Sequence, residues 1–210
     1  MIIVDRFEHL EFTSNTYLIR KKSFDNNVYL IDVGNSQDVL NALTPDQKIK
    51  GIFLTHAHYD HICGIKNIIN MFPDCIVYCS EYAHKGLQSE KLNLSFYQLK
   101  PLVFNGDNVS LIFDGVSIEL FENYHLKVLK TPGHNKGSLS FVISDGIFTG
   151  DALIPGIPVV TKLRSGNKEE AKRSIELIYQ SLGSEKVIYP GHGPIFKNSD
   201  VDWSLYNQSW

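Results

Sequence analysis

The chain has 210 residues, of which 43% are apolar, 20% charged and 11% aromatic, with a net charge of -3. This composition supplies enough apolar side chain for a substantial core and excludes the polar balance of a disordered chain. The slightly acidic charge excludes the basic footprint of a nucleic-acid-binding protein and the basic blocks that suit an anionic membrane.

No basic segment followed by an apolar run opens the sequence, and no apolar run approaches the roughly 18 residues that span a bilayer. Cys63, Cys75 and Cys79 are an odd number of cysteines without an export signal, which argues against a disulfide framework. A cytoplasmic protein is expected. No Pro/Ser-rich linker divides the chain, so residues 1–210 read as one domain; nothing in the sequence assigns an oligomeric state.

In chain order, apolar stretches at 15–19 and 28–32 flank the polar segment KKSFDNN and read as a hairpin whose second strand ends at Asp32-Val33-Gly34. Residues 50–55 form the next buried strand. Ile62, Ile65, Ile68, Ile69 and Phe72 then recur at helical spacing and stop before Pro73, and 76–78 is again a strand. Residues 84–105 lack periodicity and read as a surface excursion with a helix near 92–99. Strands follow at 110–113, 116–122, 125–130, 139–144 and 146–149, joined by turns such as Asp114-Gly115 and Asp145-Gly146. Residues 168–182 form an amphipathic helix with Ile175, Leu177, Ile178 and Leu182 on its inner face, and 186–189 is a final strand. The expected architecture is helices packed outside layered sheets.

The stretch LTHAHYDH places His56, His58, Asp60 and His61 in one turn directly after a buried strand. Each neutral imidazole needs a donor and an acceptor satisfied, so crowding three of them with a carboxylate fits a metal site better than a surface turn. His134 in TPGHNKGS, Asp151 in FTGDAL and His192 in YPGHGP each lie just beyond an apolar run, flanked by Gly or Pro that let the backbone turn. His9, His84 and His125 lack that context and read as surface or packing residues. Imidazole and carboxylate donors suit zinc, iron or manganese.

The ordered set H-x-H-x-D-H (56–61), T-P-G-H-x-x-G (131–137), T-G-D (149–151) and P-G-H-G (190–193), after Asn15-Thr16-Tyr17 and Ile31-Asp32-Val33-Gly34, resembles the metallo-β-lactamase-fold superfamily. The resemblance implies an α/β fold, an αββα sandwich of two mixed sheets with outer helices. It implies two divalent metals, zinc by preference with iron or manganese as alternatives. His56, His58 and His134 would hold one and Asp60, His61 and His192 the other, with Asp151 bridging.

Among superfamily members the chain is most similar to short glyoxalase II-like hydrolases, which implies cleavage of a small thioester such as a hydroxyacylglutathione by attack of a metal-bound hydroxide, with Asp60 orienting it. An iron-dependent persulfide dioxygenase using His56, His134 and Asp151, and a lactonase or other ester hydrolase, stay open on the same scaffold. The chain departs from the glyoxalase II pattern in having only about 17 residues after Gly193 and in its segment 156–166 (GIPVVTKLRSG). Lys162 and Arg164 in that segment either bind a substrate carboxylate or are solvated cations. Cys63 is either a packing residue or a thiol beside the metals, and Phe96 and Tyr97 either line the pocket or pack.

Overall fold

The computed structural model describes residues 1–22, 25–183 and 186–207. In chain order its elements are β1 (Ile2–Glu8), β2 (Asn15–Lys21), β3 (Asn27–Ile31), α1 (Ser36–Ala42), β4 (Lys48–Phe53), α2 (Tyr59–Ile62), α3 (Ile65–Met71), β5 (Ile76–Cys79) and α4 (Glu81–Leu87). After a 3-10 turn at Ser95–Tyr97 come β6 (Val109–Leu111), β7 (Ser117–Phe121), β8 (Tyr124–Lys130), β9 (Leu139–Ile143), β10 (Gly146–Gly150), α5 (Lys168–Ser181), β11 (Val187–Pro190), β12 (Phe196–Lys197) and α6 (Ser204–Asn207).

Two six-stranded mixed sheets result, ordered β1-β2-β3-β4-β5-β6 and β12-β11-β10-β9-β8-β7. Alternation along the strands explains how they stack. Tyr17 and Ile19 of β2 point between the sheets, where they join Phe53, Val128, Phe141 and Phe148. Leu18, between them, points outward and packs with Leu30, Ile52 and Val77 under Val39, Ile65 and Ile68 of the helices. On the far side Ile147 and Ile188 meet Ala171, Ile175 and Ile178 of α5. The order is therefore helix, sheet, sheet, helix, as expected. Strands β2 and β10 are buried along most of their length because both faces of each are covered.

The hairpin forms with Tyr17 opposite Ile31 and Ile19 opposite Tyr29; residues 23 and 24 of its connecting segment lie outside the described residues. Two expectations are corrected. The helix read across 62–72 is two helices broken at Cys63-Gly64, where a Cβ on Gly64 would stand 2.7 Å from Val33 O and from Ser36 Cβ. No α-helix occupies 92–99. There the Asn93 side chain accepts from Ser95 N and donates to Leu102 O, so polar side chains take the backbone groups that a helix would pair. Beyond the predicted elements the structure has β1, α1, α4, β12 and α6. Strand β1 pairs along its whole length with β2, while α1 and α4 are seven residues each, too short to show a period.

Two ties between the sheets fix the edge where the site lies. Tyr17 Oη donates to Pro190 O at 2.6 Å and Asn15 Nδ2 to the same oxygen at 2.9 Å, joining the start of β2 to the end of β11. Leu139 N donates to Thr55 O at 2.8 Å, joining the start of β9 to the chain just beyond β4.

Candidate metal centre

The loop after β4 carries His56 and His58, and the first turn of α2 carries Asp60 and His61. His134 lies in the loop from β8 to β9, Asp151 directly follows β10, and His192 follows β11. Gly150 takes φ +50, which turns the chain at the end of β10. At Gly191 a Cβ would stand 2.1 Å from Asp151 Oδ1 and 3.0 Å from His61 Cε1, so only glycine lets β11 pass this close.

All seven residues converge. Donor atoms of His56, His58 and His134 lie within 4.8 Å of one another, as do those of His56, His61 and Asp151, and those of Asp60, His61 and His192. Asp151 touches both ends of the cluster, with Oδ2 at 3.5 Å from His134 Nε2 and 3.6 Å from His192 Nε2, and Oδ1 at 3.4 Å from His61 Nε2. Asp60 Oδ2 stands 3.3 Å from His192 Nε2 and 3.5 Å from His61 Nε2.

Four of the five imidazoles follow one rule: Nδ1 faces away from the cluster and donates outward, and Nε2 faces the centre. His61 Nδ1 donates to Asp32 Oδ2 at 2.8 Å and His134 Nδ1 to Val160 O at 2.9 Å. Thr55 Oγ1 gives its proton to Asp32, so it accepts from His56 Nδ1 at 3.1 Å. Thr13 Oγ1 gives its proton to Phe12 O and accepts from His192 Nδ1 at 3.3 Å. His58 is the exception: its Nε2 accepts from Asn135 Nδ2 at 3.1 Å and its Nδ1 donates to His134 Nε2 at 3.0 Å, a proton that a bound cation would displace. On His56, His61, His134 and His192 the outer ties fix the tautomer and leave the Nε2 lone pair for a cation.

These residues fit a metal on grounds internal to the fold. Among the described residues, five buried side-chain polar atoms lack a hydrogen-bond partner, and His56 Nε2, His61 Nε2 and Asp151 Oδ1, all in this cluster, are three of them. Buried polar atoms are rarely left so without a reason. Two donors bound tetrahedrally to one zinc lie roughly 3.3 Å apart, close to the spacings above. Burial, with the neighbouring imidazoles, holds His56 well below the usual imidazole range and His58 down to about 4, so both stay neutral and keep their lone pairs. Burial alone would lower His61 as well, but Asp60, Asp151 and Asp32 outweigh it and hold it well above that range. Burial would raise Asp151, yet His61, His56 and His134 hold it well below the carboxylate range. The carboxylates call for positive charge at this spot.

Asp32, Thr55, Asn135 and Thr13 went unrecognised as parts of the site. Asp32 had a legible signal, a carboxylate in Asp-Val-Gly at a strand end, but its φ of +55 and its reach to His61 are tertiary facts. Lys162 and Arg164 are exposed, on the segment whose Val160 carbonyl holds His134. Phe96 and Tyr97 are exposed on the excursion whose Asn93 carbonyl accepts from Tyr59 N. Cys63 is part-buried and its thiol donates to Gly34 O at 3.2 Å, while Cys75 and Cys79 are buried in the core. His9, His84 and His125 lie outside the cluster.

The metallo-beta-lactamase superfamily profile matches residues 10–192. The chain belongs to the metallo-beta-lactamase superfamily. This superfamily member is 32% identical over 203 residues to the probable metallo-hydrolase M6_Spy0554 of Streptococcus pyogenes, which covers 92% of this chain and 84% of that one. It is 32% identical over 156 residues to the hydroxyacylglutathione hydrolase of Shewanella pealeana, covering 74% of this chain but 49% of the relative, so the chain spans about half that relative's length. Among solved structures it is similar to the BLEG-1 B3 metallo-beta-lactamase, with TM-score 0.80, 25% identity, and 93% and 94% of the two chains covered. It is also similar to TTHA1623 in a di-iron-bound form, with TM-score 0.76, 26% identity, and 92% and 94% covered.

Proposed function

We propose that this metallo-beta-lactamase superfamily protein is a dinuclear-metal hydrolase of small thioesters. The observation that carries the metal part is the common orientation of four imidazoles, His56, His61, His134 and His192, each with Nδ1 tied outward and Nε2 turned into the cluster that holds Asp60 and Asp151. In this reading His56, His58 and His134 hold one metal, Asp60, His61 and His192 the other, and Asp151 reaches both. Zinc is the metal proposed, and iron is the alternative, supported by the similarity to a di-iron structure.

When bound, two such metals supply a water acid enough to ionise near neutrality and polarise the carbonyl that it attacks. Asp60, held ionised by His61 and His192 against the effect of burial, orients the water. The water oxygen joins the acyl carbon, the carbon–sulfur bond breaks with its electron pair leaving on sulfur, and the protons pass to solvent. A thiolate departs without a proton, so the reaction makes no demand for a general acid. The similarity to hydroxyacylglutathione hydrolases supports this leaving group. Lys162 and Arg164 are the proposed contacts for a carboxylate on the departing thiol, and the protein is proposed to act in the cytoplasm.

The test is a panel of thioester, lactone, phosphodiester and persulfide substrates on zinc- and iron-loaded protein, with oxygen uptake followed in parallel. Thioester cleavage by the zinc form without oxygen consumption is the expected result. Oxygen-dependent turnover of a persulfide by the iron form alone would replace this reading with a dioxygenase on the same donors.

A further inference from the structure

Beside the metal cluster lies a small open cavity, at most about 220 Å³ with the solvent at its mouth included, whose walls are His134 and Asp151 on one side and Ile154, Ile157, Pro158, Val159 and Val160 on the other. The side chains of its non-cluster wall are all apolar. Ile157 and Val160 are 49% and 52% exposed, which leaves large apolar side chains facing solvent next to the most polar site in the molecule. Exposed apolar surface in a concave setting beside convergent polar groups is the usual make-up of a small-molecule subsite.

The wall is also fixed in place. Val160 O accepts from His134 Nδ1 at 2.9 Å, so the segment is tied to a cluster imidazole. At its other end Ile157 N donates to Ile154 O at 3.0 Å and closes a turn. The Tyr206 hydroxyl donates to Ile154 O at 3.0 Å and accepts from Gly156 N at 3.0 Å, which pins that turn to α6. Tyr206 packs against Trp203, and both lie against the core outside the second sheet. A wall held at both ends presents a formed surface rather than a loop that must order on binding.

We infer that this cavity is the acyl subsite and that it selects a short, unsubstituted aliphatic acyl group over hydroxylated or carboxylated ones. The cavity is too small for a thiol carrier, so the departing thiol lies on the open side of the cluster. A hydroxyl or carboxylate on the acyl chain would be set against Ile154, Ile157, Pro158 and Val159 without a partner, and an unpaired polar group is disfavoured there. The identity of the bond cleaved rests on the thioesterase reading; the shape and polarity of the cavity do not.

Two measurements on metal-loaded protein separate these parts. The first compares N-acetylcysteamine thioesters bearing acetyl, butyryl, isovaleryl, lactoyl and succinyl groups. Butyryl or isovaleryl should exceed acetyl in kcat/KM by about 10-fold or more, as a methylene in a fitted pocket is worth at least that, with lactoyl and succinyl below both. Ile157→Thr should cut the butyryl-to-acetyl ratio by at least about 5-fold. Lactoyl or succinyl equal to butyryl, or a ratio unmoved by Ile157→Thr, overturns the inference.

The second titrates the free acids while following the methyl resonances of Ile154, Ile157, Val159 and Val160. Isovalerate should shift them at a concentration several-fold lower than lactate does. If no thioester is cleaved, the thioesterase reading falls and this titration alone decides the pocket: equal response to isovalerate and lactate overturns it.

Discussion

Asp32 shows how much of the centre depends on a residue that faces none of its open positions. Its carboxylate is fully enclosed and takes Thr55 N and Thr55 Oγ1 at 2.7 Å and His61 Nδ1 at 2.8 Å. These bonds offset a left-handed φ that costs a non-glycine residue about 1–2 kcal/mol. In Asp32→Asn the amide would present a donor where Thr55 Oγ1 and His61 Nδ1 also donate, favouring the wrong His61 tautomer. Metal affinity should fall about 10- to 100-fold, read by competition with a chromogenic chelator; an unchanged affinity would show that Asp32 serves the fold alone. Asp151→Ala removes a charge shared by both trios and should abolish activity and lower the metal content. Cys63→Ser, altering a thiol bonded only to backbone carbonyls, should stay within about twofold of wild type in rate, since substitutions away from a strong feature move little. The reverse order in rate assays would place the thiol in the chemistry.

At the scale of elements, the junction of β2 with β11 positions His192. Tyr17 is buried, with burial raising its hydroxyl far above the ordinary phenol value, and it acts as a neutral donor to Pro190 O. In Tyr17→Phe that carbonyl keeps Asn15 as a partner, so the loss should be near the net value of one hydrogen bond, about 1 kcal/mol in urea unfolding. A loss above about 3 kcal/mol would mean that the junction repacks. Helix α5 starts at Asn167, whose side chain accepts from Glu169 N and Glu170 N at 3.0 Å. Asn167→Ala should cost about 1 kcal/mol by the same measurement. Helix α5 was legible because fourteen residues display its period and cap; α1 and α4 were not, at seven residues each.

For the whole molecule, donors from both sheets meet at one edge, so a bound metal ties the layers together and favours the folded state. Removing it with a chelator should lower the melting temperature. The lost stabilisation is about 2.7 kcal/mol when free metal had been 100-fold above its dissociation constant. Calorimetry with and without chelator reads this, and coincident curves would argue that the cluster binds no metal. Among the described residues no helix is long and apolar enough to cross a membrane.

The sequence by itself determined the donor types and the strand ends that carry them, because H-x-H-x-D-H is local and each later donor follows an apolar run. Period and donor chemistry are written residue by residue, so the αββα layering and the seven candidate donors were legible together with the superfamily resemblance. Which donors stand near one another, which imidazole nitrogen faces inward, and the apolar wall at 154–160 beside His134 were decided only in three dimensions. Those depend on strand register and on ties such as Tyr17 to Pro190 and Tyr206 to Ile154, which span distances in sequence over which no periodic pattern carries information.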